Sequence, residues 1–347
     1  MRKNYVLHII LFIIYLNSNA QANFFISTGF ESTPVGLLVK GDDLLIGSVG
    51  KQKIYRVNLK EPTPTLNEFI NDISFPGFFK NVGNTLYVPG VNTFTIFDIT
   101  NNTPTKLKEI ASDTFLVSTA IYNNDLYAAY FNGGKIIKYN LLDLDAPPVE
   151  VLSGLGNLVD LKIHNNELYF VQATNRKISK IDLTVSNPTI NEVIAVRGVL
   201  GLLFVGDDLY FSTNHNGNKV SKININDINP IPEVIVDNLA NPVWGLEFHD
   251  NYLYMAQQFG YGVWRVNLNR LNTDKFTKDT SILYPNPTKD IINVSSDKHE
   301  KYIINDINGK IVLKGNISNQ KIDISKLNTG MYFLSIDGKK SKKIIKR

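Results

Sequence analysis

One leucine recurs six times in this chain, each time inside the same short pattern. That repeat restricts the fold more than any other feature. The copies are Leu44 (DDLLIG), Leu86 (NTLYVP), Leu126 (NDLYAA), Leu168 (NELYFV), Leu209 (DDLYFS) and Leu253 (NYLYMA), spaced 42, 40, 42, 41 and 44 residues apart. Before each leucine stands a pair suited to a tight hairpin: Gly41-Asp42, Gly83-Asn84, Asn123-Asn124, Asn165-Asn166, Gly206-Asp207 and Asp250-Asn251. After it come a strand-like Leu-Tyr run, a polar loop and a stretch alternating with period two, such as KISKIDL or KVSKINI. An apolar run precedes each hairpin, and an outer strand (LNEFI, KLKEI, PVEVL, INEVI, PEVIV) follows five of the six units. Four short strands in each unit of about 40–45 residues are the signature of a propeller blade.

Six inner units but five outer strands leave one blade short. The segment Asn23 to Thr28 (NFFIST) precedes the first unit, where an outer strand belongs. Supplying it to the sixth blade closes the ring and removes an exposed sheet edge. The expected fold class is all-β: a six-bladed β-propeller over 23–270, a linker at 271–280 and a small β-sandwich at 281–347.

The ends of the chain carry address signals. Arg2 and Lys3 precede an eight-residue apolar core, Ile9 to Leu16, and small residues follow, so 1–22 reads as a signal peptide cut after Ala20 or Ala22. That core is too short to span a bilayer as a helix, and no later run is long enough, so no transmembrane segment is expected in the mature chain. With no cysteine, the chain has no disulfide, thiolate metal site or Cys nucleophile. The net charge of +4 hides an asymmetry. Residues 281–347 carry 13 basic and 6 acidic side chains, and the body from 23 to 280 is mildly acidic, which argues against a nucleic-acid partner.

Two resemblances follow from these residues. Pro34-Val35-Gly36-Leu37 and Pro242-Val243-Trp244-Gly245-Leu246, with the repeated Leu-Tyr strand, resemble NHL-repeat and lactonase-type six-bladed propellers. At the chain end, Tyr284-Pro285-Asn286-Pro287, then Asn308-Gly309, Gly330 and Tyr332, and a basic terminus resemble the type A C-terminal sorting domain of the type IX secretion system. That resemblance implies export through the periplasm, interaction with the secretion machinery, and release or attachment at the outer cell surface. The terminal cluster Lys339, Lys340, Lys342, Lys343, Lys346 and Arg347 is expected to be a solvated basic face that this machinery reads.

The readable chemistry is sparse. Propellers tend to bind ligands on the face bearing the blade-joining segments and the loops between second and third strands. On that face the candidates are Trp244, Gln257, Gln258, Phe259 and Tyr261 in blade six, His215 in blade five, and Arg176 and Arg197 in blade four. Aromatics beside amides suit sugar rings or a protein partner. His215 could serve as a ligand contact or general base, and the arginines suit a carboxylate or phosphate. Several also have a plainer role: Trp244 and Phe259 as packing between blades, and His215, Arg176 and Arg197 as solvated loop residues. His164 and His249 fall at hairpins on the opposite face, and His299 in the terminal domain. The lactonase resemblance implies a channel calcium, for which Asp160, Glu247 and Asn157 are the nearest candidates, but they do not form a recognisable ligand set. Asp42-Asp43 and Asp207-Asp208 read as hairpin chemistry. No phosphate loop, Gly-x-Ser-x-Gly elbow or HExxH is present. The expectation is a non-catalytic binding module for extracellular glycan or protein, with no cofactor. The alternative is a metal-dependent, lactonase-like hydrolase or lyase using calcium, and a purely structural surface protein is a third reading.

Overall fold

The computed structural model describes residues 21–29, 31–112, 114–270, 283–294, 301–306, 310–336 and 342–347. The chain divides into two compact units, Met1–Leu271 and Asn272–Arg347. Most of the expected signal peptide and all of the expected linker fall outside the described residues.

The first unit is six four-stranded antiparallel sheets, five of them built from consecutive strands. In the sixth, Asn23–Ser27 pairs with Gly262–Asn267 as the outer strand, so the two ends of the unit share one blade. All six aligned leucines are 0% exposed. The first residue of every inner hairpin has positive φ, from 45° at Asp250 to 61° at Gly41, which explains why only Gly, Asn and Asp stand there.

The inner strands are Pro34–Lys40, Lys80–Val82, Leu116–Tyr122, Leu158–His164, Val199–Val205 and Val243–His249. They approach so closely that side chains are excluded at some positions. A Cβ on Gly36 would run into the carbonyl of Gly77, and one on Gly201 into that of Trp244. Where blades three and four carry Ser118 and Asp160 instead, those side chains bond across the gap.

The second unit packs a three-stranded sheet against a four-stranded one around Ile292, Val294, Ile304, Ile322, Leu334 and Ile344. This is the expected small sandwich.

Candidate functional site

On the loop face, one backbone bond recurs in five blades. The residue after the second strand donates its N–H to the carbonyl just ahead of the inner strand: Val49 to Thr33, Phe131 to Phe115, Ala173 to Asn157, Asn214 to Gly198 and Gln258 to Pro242, at 2.8–3.1 Å. These pairs form a rim that changes character around the ring. Blades one to three present Val49, Phe75, Phe115 and Phe131, and blades four to six present Asn157, Asn214 and Gln258. Phe75 meets Phe115 edge-on at 4.4 Å between centroids, and Phe115 meets Phe131 at 5.6 Å. These three rings and Trp244 are half-buried against one core cluster that includes Val35, Val117 and Val159. The phenylalanines were missed in the sequence. Phe75 and Phe115 stand eleven residues before Leu86 and Leu126, so the repeat register could have singled them out.

Blade six gathers the predicted aromatic and amide residues. Trp244 donates its indole N–H to Gln258 Oε1 at 2.9 Å, which fixes the ring edge-on to the loop. Phe259, at the loop tip, is 58% exposed and does not pack between blades. Gln257 lies beneath, only 1% exposed, and its Oε1 has no hydrogen-bond partner. Tyr261 has positive φ, and its carbonyl accepts the Thr28 N–H at 2.8 Å, tying the loop to the closing strand. A buried amide oxygen left unpaired costs roughly 1–3 kcal/mol, so Gln257 is a point of stored cost under this loop.

The other candidates lie elsewhere on the face. His215 is half-buried in blade five, so close above Gly198 that a Cβ added there would sit 3.0 Å from the His215 Cβ. Arg176 and Arg197 are exposed and come together in blade four, where the Val196 N–H donates to the Arg176 carbonyl at 2.9 Å. They do not join the blade-six group.

Asp160 is fully buried at the axis, and both its oxygens are engaged. Oδ1 accepts from Ser118 Oγ, the Leu161 N–H and Lys162 Nζ, all at 2.8 Å. Oδ2 accepts from Lys162 Nζ at 2.7 Å and from the Leu202 N–H at 2.8 Å. The carboxylate therefore ties blades three, four and five together. Among the described residues, no three His, Cys, Asp or Glu side chains are placed to hold a metal ion. A separate cleft of about 350 Å³ lies between blades three and four, lined in part by Tyr127, Lys138, Glu150 and Thr184. None of the predicted residues lines it. Its Lys138 and Glu150 are already paired, with Asp125 and Lys135.

In the second unit, Asn286 joins the Tyr284-to-Pro287 motif to the last strand. Its Nδ2 donates to the Lys343 carbonyl at 2.8 Å, and its Oδ1 accepts the Ile345 N–H at 2.9 Å. Tyr332 donates its hydroxyl to the Asn328 carbonyl at 2.8 Å, and Gly330 opens that strand. Residues 282–347 match the family described as "Secretion system C-terminal sorting domain". The chain therefore carries a secretion-system sorting domain at 282–347. The domain marks proteins exported to the cell surface or the extracellular space, and it implies interaction with the type IX machinery. Asn308 and Gly309 of the motif lie outside the described residues, as do Lys339 and Lys340. One expectation is corrected here. Lys346 is not part of a solvated basic face: it is 7% exposed, with Nζ on Asp290 Oδ1 at 2.9 Å and on the Lys289 carbonyl.

Solved structures resemble this chain in fold. A structural genomics protein of unknown function from Bacteroides thetaiotaomicron is 12% identical, with TM-score 0.57 over 72% of this chain and 73% of that one. A luciferin-regenerating enzyme is 13% identical, with TM-score 0.55 over 72% of this chain and 95% of that one. At such identity the likeness is one of fold alone, an all-β propeller. No curated protein matches the sequence. No helix among the described residues is long and apolar enough to cross a membrane.

Proposed function

We propose that the exported propeller is a non-catalytic binding module whose loop-face rim, centred on Trp244, takes an extracellular glycan. The observation that carries this reading is the fixed Trp244–Gln258 pair beside the exposed Phe259 ring. A sugar offers an apolar C–H face and a hydroxyl edge. The first suits an aromatic ring and the second an amide, and a ring held by its own hydrogen bond loses little entropy on binding. With Oε1 engaged by the indole, the Gln258 NH₂ is left to donate to a hydroxyl. The polar arc of Asn214 and Asn157 continues from it, and the aromatic arc of Phe75, Phe115 and Phe131 lies on the other side.

This reading needs no cofactor. The lactonase-like alternative takes no support from the axis, since Asp160 would have to give up five hydrogen bonds from four donor groups to ligate a cation. The test is a glycan array probed with the secreted protein and with Trp244→Ala and Phe259→Ala. Loss of a bound glycan class by about tenfold or more in Trp244→Ala is expected, with a smaller loss in Phe259→Ala. Unchanged array binding in Trp244→Ala would remove the rim from the case, and an empty array with retained capture of a protein would turn the reading towards a protein ligand.

A further inference from the structure

The cleft between blades three and four shares no residue with the loop-face rim, and the blade repeat shows how it is built. In each blade the residue after the aligned leucine pairs with one on the third strand, which pairs in turn with one on the outer strand. In blade three this row is Tyr127, Lys138 and Val149. The outer member is Asn67, Lys108, Asn191, Glu233 or Asn23 in the other blades. Blade three alone ends the row in an apolar side chain. Facing it, the loop between the third and outer strands of blade four supplies Asp182 to Pro188. Val149 and Val185 line the cleft from either blade, 56% and 48% exposed. At about 350 Å³ the space is at the small end of the roughly 300–1,000 Å³ that ligand pockets span, so it admits one residue of a polymer rather than a stretch of it.

Tyr127 is the one buried residue of the lining, 5% exposed. In blade four the equivalent Tyr169 donates its hydroxyl to Glu167 at 2.7 Å. Blade three has the shorter Asp125 in that place, and Lys138 Nζ holds it at 2.8 Å. The Tyr127 hydroxyl therefore makes no hydrogen bond among the described residues. A nearly buried hydroxyl left over at the floor of an open cleft calls for a partner from outside the chain. The charges exclude one class of ligand. Lys138 is paired with Asp125, and Glu150 with Lys135, both at 2.8 Å. Asp182 has no cation partner among the described residues, and its Oδ1 takes the Thr184 N–H and hydroxyl at 2.8 and 2.6 Å. The cleft thus has no free cation to offer an acidic ligand. It offers hydroxyls and a carboxylate oxygen between the apolar walls of Val149, Val185 and Pro188. That is the complement of a neutral sugar ring, which has a C–H face and a hydroxyl edge.

We propose that this cleft is a second sugar site, which takes one neutral hexose residue, the end or a branch of a glycan. The C–H face of the ring lies against Val149 and Val185. The Tyr127 hydroxyl exchanges a hydrogen bond with a sugar hydroxyl at the floor, and Asp182 and Ser186, both exposed, serve hydroxyls nearer the mouth. Burial and the Asp125 charge push the Tyr127 phenol up to about 12, so it stays neutral and able both to donate and to accept. The site is argued from its own lining and does not depend on Trp244.

The test is thermal denaturation of the whole secreted protein, titrated separately with glucose, galactose, mannose and glucuronate. Sugars raise the midpoint of any protein a little by exclusion from its surface, so the readout is a saturable rise above that slope. It is expected with at least one of the three neutral hexoses and not with glucuronate. Tyr127→Phe removes only the hydroxyl and should weaken the apparent affinity about threefold or more. Val149→Lys narrows the mouth and should weaken it about tenfold or more. Lys108 stands at the equivalent position in blade two, so a lysine suits this strand and the fold is kept. No saturable rise with any hexose overturns the proposal, as does an affinity unchanged in either variant. A tighter response to glucuronate than to the hexoses overturns the assignment to a neutral sugar. A saturable rise that both variants keep and Trp244→Ala loses belongs to the rim, so the two readings fail separately.

Discussion

Asp160 shows how one residue can change meaning between chain and fold. In sequence it is an acidic residue near an inner strand, a candidate for a cation. In the fold it joins three blades, and its charge is matched by Lys162 two residues later on the same strand. Removing one member of a buried pair leaves the other charge uncompensated, whereas replacing both with apolar groups is far less costly. Asp160→Asn should lower the unfolding free energy by about 3 kcal/mol or more, and adding Lys162→Met should recover part of it. Urea denaturation of the two variants checks this, and a double variant no more stable than Asp160→Asn would contradict the account. The same logic separates Gln257 from Gln258. Neighbours in sequence, they alternate across the strand end, so one is buried under the loop and the other holds Trp244.

At the scale of elements, closure of the sixth blade by Asn23–Ser27 is the main long-range event. Strand Gly262–Asn267 would otherwise present a row of unpaired backbone groups to solvent. Phe24, though 52% exposed, also packs edge-on against Trp264 at 5.4 Å. Deleting residues 23–27 should lower the melting midpoint by about 5 °C or more and promote self-association through the open edge. Calorimetry and size-exclusion chromatography read both effects, and a monomer with an unchanged midpoint would show the strand to be dispensable. This element was legible beforehand because the repeat left one outer strand unaccounted for. The aromatic arc was legible only in part: the repeat register matches Phe75 with Phe115, but Phe131 comes from a loop that only the ring brings beside them.

The whole molecule combines an address with a scaffold, and each unit has its own core. A chain ending at residue 281 should keep a folded propeller but fail to leave the cell. Fractionation of cultures expressing the full and shortened chains checks this, and equal amounts of both in the medium would refute it. The sequence by itself determined the blade count, the closing strand, the hairpin chemistry and the sorting domain. Those depend on local rules: a period of about 40–45 residues, turn pairs that tolerate positive φ, and a motif read in order. The tertiary structure alone decided which residues face one another between blades. Tyr127 and Val149 of blade three share a cleft with Thr184 and Val185 of blade four, and nothing in their local patterns links them. They meet because the ring sets the sheet of blade three against the loop between the third and outer strands of blade four.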